Sequence, residues 1–158
     1  RVTRSMPLTL LSVPHLQQNK NGECVAACSA MALAHIGKIV AYKRLVALLE
    51  ITEAGTASSK IKNLEQLDVV VVYKQGTFSE IQSRLDSNHP CIVFVQTREL
   101  PYWSEDTGHA LLVVGLDDDS VYVNDPAFPD APIQISRGDF DLAWLEFDEL
   151  YAVLTRRS

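Results

Sequence analysis

Residues 18–37, QNKNGECVAACSAMALAHIG, constrain this chain more than any other stretch. The segment opens polar and turn-like at Asn19, Lys20, Asn21 and Gly22, then becomes an apolar run of small residues that ends at Gly37. That change predicts a helix over residues 23–36 with Gly37 as its C-terminal stop. Ala27, Ala30, Met31 and Ala34 give the helix a thin face, so neighbours can approach closely. A central helix laid on a sheet needs such a face. Cys24 falls in the first turn, where unpaired backbone N–H groups and the positive end of the helix dipole favour an anion. Those conditions lower a thiol pKa and yield thiolate. Gln18, six residues upstream on the incoming loop, places a side-chain amide where an oxyanion could be bound.

The rest of the chain divides by its hydrophobic period. Residues 7–16, PLTLLSVPHL, are bounded by proline and read as extended or loop-like. A second helix is predicted over residues 42–49 and a short third one over 59–67, separated by the polar stretch ITEAGTASSK. Residues 69–73 are a β-branched run and read as a strand. Residues 77–86 read as a helix, with Thr77 as N-cap and Glu80 completing a capping box. Residues 91–96 are a buried strand, and 98–107 a loop that carries Tyr102 and Trp103. Residues 109–116 and 121–124 form a hairpin across Asp117, Asp118 and Asp119. Pro126, Pro129 and Pro132 stiffen the next loop. A short strand over 133–135, a helix over 137–144 begun by Ser136, and a strand over 150–154 close the chain. Helices come first and antiparallel strands after, which is an α+β pattern. There is no internal repeat and no linker, so residues 1–158 read as one domain.

Composition excludes several classes. The chain has 158 residues, 47% of them hydrophobic, which predicts a packed core and not disorder. Its net charge of −6 argues against binding nucleic acid or an anionic membrane. Apolar runs such as CIVFV and ALLVVGL are far shorter than the roughly 20 residues of a spanning helix, so no membrane insertion is expected. Residues 1–5 read as an expression remnant, a processed end or a domain edge, with Met6 as a natural start. No secretory signal is evident there. Cys24, Cys28 and Cys91 are too few and odd in number for a disulfide scaffold. A reducing, cytoplasmic setting is the simpler reading.

If Cys24 is a nucleophile, it needs a base and the base needs an orienting group. His109 in TGHALLVVG and Asp125 in VYVNDPA suit those roles, sixteen residues apart on the two arms of the predicted hairpin. Gly108 leaves room for a substrate backbone. Tyr102 and Trp103, just ahead of the base, read as one wall of a substrate groove or as a partner contact. Oxyanion donors would be the Gln18 side chain and the N–H of Cys24. Each residue alone has a plainer reading: a buried thiol, a satisfied core histidine, a turn aspartate, a solvated glutamine. Their conjunction carries the argument. Cys28, one turn deeper, reads as core, as does Trp144. His35 reads as a helix-end contact, His15 as a loop residue and His89 as solvated. A zinc site from Cys24, Cys28 and His109 is the weaker alternative, because no paired-cysteine spacing is present.

Gln18, CVAACSAMALAHIG, Gly55-Thr56, TGHALLVVG and VYVNDP occur in one order that resembles the bacteriocin-processing cysteine peptidases. These are papain-like domains, often fused to ABC transporters, that cut peptide leaders after a double glycine. The resemblance spans about residues 12–154. It implies a papain-like fold with N-terminal helices, the nucleophile helix packed on a C-terminal antiparallel sheet. It also implies catalysis by Cys24, His109 and Asp125 with Gln18 at the oxyanion, a peptide or protein substrate, and no metal or organic cofactor. The family usually has glycine after the cysteine; here Val25 takes that place. No transporter segment is present, so the chain resembles a stand-alone or excised peptidase unit. Two other functions remain open on the residues: a peptide-binding module that does not cut, and a subunit of a larger assembly. Acyl or amide transfer to an acceptor other than water is a variant of the first reading.

Overall fold

A computed structural model describes residues 8–158. The readings of residues 1–5 as a remnant or processed end and of Met6 as a start lie outside the described residues. The N-terminal part holds a short strand β1 (Thr9–Leu10), helix α1 (Cys24–His35), helix α2 (Tyr42–Leu48) and a ten-residue 3₁₀ helix (Ser58–Leu67). There follow β2 (Val69–Gln75), α3 (Phe78–Asp86), β3 (Cys91–Gln96), a 3₁₀ turn (Thr97–Glu99), β4 (Gly108–Leu116) and β5 (Ser120–Asn124). The chain then runs through β6 (Ile133–Ser136), α4 (Arg137–Leu145) and β7 (Leu150–Arg156).

The strands form a sheet in the order β2-β7-β3-β4-β5-β6, and every pairing is antiparallel. The last strand is thus inserted between β2 and β3. β1 pairs with the far end of β4, Thr9 against Leu116, past the last β3 partner at Val113. Because side chains alternate across a strand, the sheet has two faces, and both are covered. On one face Ile92, Phe94, Ala110, Leu112, Ala152 and Leu154 meet the helices α1 and α2 and the long 3₁₀ helix. On the other, Val93, Val95, Leu111, Val113, Tyr151 and Val153 meet α3 and α4. The expected α+β arrangement is met, with α1 packed on an antiparallel sheet, and the two helices predicted among the strands, α3 and α4, cover the second face. That coverage explains why β3 and β4 are continuously apolar, as strands buried on both sides are.

The local signals are met by identifiable contacts. α1 is buried almost all round, from Val25 through Leu33, as a central helix must be. It ends at Gly37 (φ +80°), where Gly37 N–H donates to Ala34 O (2.9 Å) and Lys38 N–H to Leu33 O (2.9 Å). Thr77 caps α3 by accepting from Glu80 N–H at 3.1 Å. The second half of the expected capping box is absent, because the Glu80 carboxylate turns to Lys74 (3.2 Å) and the Tyr151 hydroxyl (3.0 Å). The third predicted helix is a 3₁₀ helix throughout. Trp144 is fully buried and donates from Nε1 to Leu150 O at 2.9 Å, as a core aromatic. Among the described residues no helix is long and apolar enough to cross a membrane.

Candidate active site

The start of α1 is held from three sides. Glu23 accepts from Lys20 N–H (3.2 Å) and from the Tyr42 hydroxyl of α2 (3.2 Å). Gly22 has φ +87°, and a Cβ there would lie 2.4 Å from Thr52 O. Only glycine lets the loop lie against the 52–55 turn, which Thr52 and Gly55 close by exchanging backbone bonds of 3.0 and 2.9 Å. The helix has no side-chain cap, and its first backbone bond runs from Ala27 N–H to Glu23 O. The N–H groups of the first turn are therefore left to Cys24 and its surroundings.

The β4–β5 hairpin forms as the spacing required. Asn124 pairs with Leu112, which sets Asp125 just past the ladder and diagonal to His109. His109 Nε2 and Asp125 Oδ1 are 2.7 Å apart, with His109 7% exposed and Asp125 fully buried. With Nε2 committed to Asp125, the other ring nitrogen is left for Cys24, whose thiol lies close enough to act on the His109 proton. Burial alone would raise the Cys24 thiol. The hydrogen bond and charge of His109, with the N–H groups of Ala110 and Val25, instead hold it below the ordinary range. Burial alone would lower His109; its bonds to Asp125 and Cys24, and their charges, push it up to about 9. Asp125 is also opposed by burial, and His109, Ala127 N–H and Trp103 hold it below the usual carboxylate range. The arrangement favours thiolate, imidazolium and carboxylate in a row.

Cys24 and His109 open on a cleft of about 430 Å³. Gln18, Gly55, Trp103, Gly108 and Phe147 are among the residues that line it. Gly108 is exposed on the cleft wall, and a Cβ there would meet the Phe147 ring at 2.9 Å, so its lack of a side chain accommodates that ring. Val25, where glycine was expected, is buried and leaves α1 regular from Cys24 onward. Gln18 is fixed by its own N–H to Pro126 O (2.8 Å), next to Asp125 in the chain. Its Nε2 donates to Lys20 O (3.0 Å), and its buried Oε1 has no partner among the described residues. One Nε2 hydrogen thus serves the loop.

Of the residues read as substrate-binding, Trp103 and Gly108 line the cleft and Tyr102 does not. The Tyr102 hydroxyl donates to Asp125 Oδ2 at 2.8 Å, beside Trp103 Nε1 at 2.9 Å. This corrects the groove-wall reading of Tyr102, and that contact was not foreseen. The available signal was that an aromatic side chain with a polar tip, when buried, finds a hydrogen-bond partner. Phe147 and the 52–55 turn were also not foreseen at the cleft. Cys28 is fully buried on the α1 face of the sheet, and burial, then Cys24 and Asp125, push its thiol well up. His35 Nε2 meets Asn88 Oδ1 at 3.0 Å, a helix-end contact. Among the described residues no group of three or more His, Cys, Asp or Glu side chains is placed to hold a metal ion.

Comparison with known proteins bears on the fold and the family. A C39-like peptidase from Bacillus anthracis superposes with a TM-score of 0.79 at 17% identity, covering 99% of this chain and 100% of that one. A double glycine motif protease from an AMS/PCAT transporter, in complex with its leader peptide, gives a TM-score of 0.74 at 17% identity over 99% and 100% of the chains. The peptidase domain of Streptococcus ComA, a bi-functional ABC transporter of a quorum-sensing pathway, gives 0.76 at 18% identity over 92% and 100%. These likenesses establish the papain-like fold of such peptidases. No protein of curated function matches the sequence. The model of the Peptidase_C39 like family matches residues 10–152, so the chain belongs to that family.

Proposed function

We propose that the protein is a cysteine peptidase in which Cys24, His109 and Asp125 form the catalytic triad. The observation that carries this reading is the row from the half-buried Cys24 at the cleft through His109 to the buried Asp125, with its 2.7 Å His109–Asp125 bond. The Cys24 thiolate attacks a peptide carbonyl, and the tetrahedral oxyanion is met by the Cys24 N–H and the free hydrogen of Gln18 Nε2. His109 gives its proton to the leaving amine, which departs as the C–N bond breaks. The thioester is then attacked by water, whose proton returns to His109, and the acid product and thiolate separate. Asp125 stays ionised and holds His109 in place.

The substrate reading follows from the relatives. One solved relative is a double glycine motif protease bound to its leader peptide. Carried to this chain, the cleft takes an extended peptide, which is cut after a glycine pair. Three free cysteines, two of them buried, fit a reducing cytoplasmic setting. The test is mass spectrometry of synthetic peptides containing a Gly-Gly pair, incubated with wild type and Cys24→Ala. Two fragments ending and starting at the pair are expected from wild type only. Gln18→Ala should slow cleavage by about 100- to 1000-fold. Peptide that is bound and never cut would replace the enzyme with a binding module of the same fold.

A further inference from the structure

We propose that Tyr102 and Trp103 are positioning residues that grip the second oxygen of Asp125 and thereby fix the orienting group behind His109. This rests on the triad reading of the preceding subsection and adds two residues to it.

Asp125 is held by four donors, two on each oxygen. Oδ1 accepts from His109 Nε2 (2.7 Å) and Ala127 N–H (3.0 Å). Oδ2 accepts from the Tyr102 hydroxyl (2.8 Å) and Trp103 Nε1 (2.9 Å). An ionised carboxylate offers about four acceptor sites, so this one is saturated, and it is fully buried. Saturation keeps it an anion and keeps it from turning. The two aromatic donors are themselves held. Phe128 packs edge-on against both, at 5.2 and 5.3 Å between ring centroids. The Trp103 ring lies 4.7 Å from that of His109, tilted by 60°, and so also limits rotation of the imidazole.

The loop that carries the pair is built for this. Thr97, fully buried at its start, donates from Oγ1 to Glu105 O (2.6 Å) and accepts from Thr107 N–H (2.9 Å). Gln96 Nε2 reaches Asp106 Oδ1 at 2.7 Å. The loop is closed at its base, and its middle residues project to Asp125. Burial, then Asp125, push the Tyr102 hydroxyl well above its usual range, so it remains a donor at any working pH. The titratable groups facing Asp125 are Tyr102 from the loop, His109 from β4, and Cys28 from α1.

The O–H and N–H dipoles present their positive ends to the carboxylate and offset part of its pull on the His109 proton. Removing one should therefore raise the His109 titration point. The test follows the His109 Cε1–H resonance against pH in wild type, Tyr102→Phe and Trp103→Phe. Tyr151→Phe loses the same kind of hydroxyl, which bonds to the half-exposed Glu80 away from the site, and serves as control. Both loop variants should shift His109 upward by roughly half a pH unit, about 3-fold in its proton affinity, and the control should not. Trp103→Phe keeps the proposal testable if Tyr102→Phe does not fold. Wild-type titration near an ordinary histidine would sink the triad reading itself. A raised wild-type value with both variants superimposed on it would leave the triad and overturn the grip.

Discussion

Asp125→Asn separates charge from shape at the centre of the site. The amide fills the same space but cannot serve four donors. With its oxygen toward His109 and Ala127, its NH₂ faces Trp103 Nε1–H; turned over, it faces Ala127 N–H. Neither of those groups can accept. One N–H is therefore left buried against another in either orientation, at a cost of about 1–3 kcal/mol. In a chain of this size that lowers Tm by roughly 2–4 °C per kcal/mol. The larger effect is on His109, which sits at about 9 with Asp125 and Cys24 opposing the effect of burial. With the carboxylate gone, a return to the free value of about 6.5 removes about 3 kcal/mol of preference for the imidazolium. At neutral pH the variant should be mostly neutral at His109, with the Cys24 proton restored. The assay is the His109 Cε1–H titration, assigned by its loss in His109→Ala, with a thermal melt alongside. A variant His109 that still titrates near 9, in a folded protein, would refute the assignment of Asp125 as the group that holds its charge.

Other consequences are more local. Wild-type cleavage should be bell-shaped in pH: it falls on the acid side as the lowered Cys24 thiol regains its proton. It falls on the alkaline side through about 9 as His109 loses the proton it gives the leaving group; initial rates from pH 4 to 10 check this. Gly22→Ala forces a side chain into a left-handed position and against Thr52 O, so a Tm loss of several degrees is expected, about 1–2 kcal/mol from backbone strain alone. In native protein, iodoacetamide should label one thiol quickly, because Cys28 and Cys91 are fully buried and burial pushes Cys91 to about 12. Intact mass after a limiting dose counts them.

The site was more legible than the architecture around it. A polar turn running into small apolar residues located α1 and put Cys24 at its start, because both signals are local. One short hairpin brought His109 to Asp125, so sixteen residues of sequence carried that contact. The placement of β7 between β2 and β3 was not legible, since a β-branched run does not name its neighbours. Nor was the coverage of the second face by α3 and α4: the apolar runs of β3 and β4 showed burial on both sides without naming the elements that cover them. Tyr102 was read toward the cleft because it precedes the base. Its true direction depends on Thr97 closing the loop ten residues before Thr107, a contact with no local signal. Gln18 lines the same cleft as Cys24, but its bond to Lys20 O depends on the fold of the 18–23 loop.

The most direct measurement is the pH dependence of Cys24 alkylation in wild type and in His109→Ala. The account predicts a wild-type rate that reaches its plateau well below the free thiol value of about 8.5, and an inflection that moves up when His109 is removed, since burial is then opposed only by the N–H groups of Ala110 and Val25. An ordinary thiol titration in wild type, unchanged by His109→Ala, would contradict the claim that these residues form an activated nucleophile.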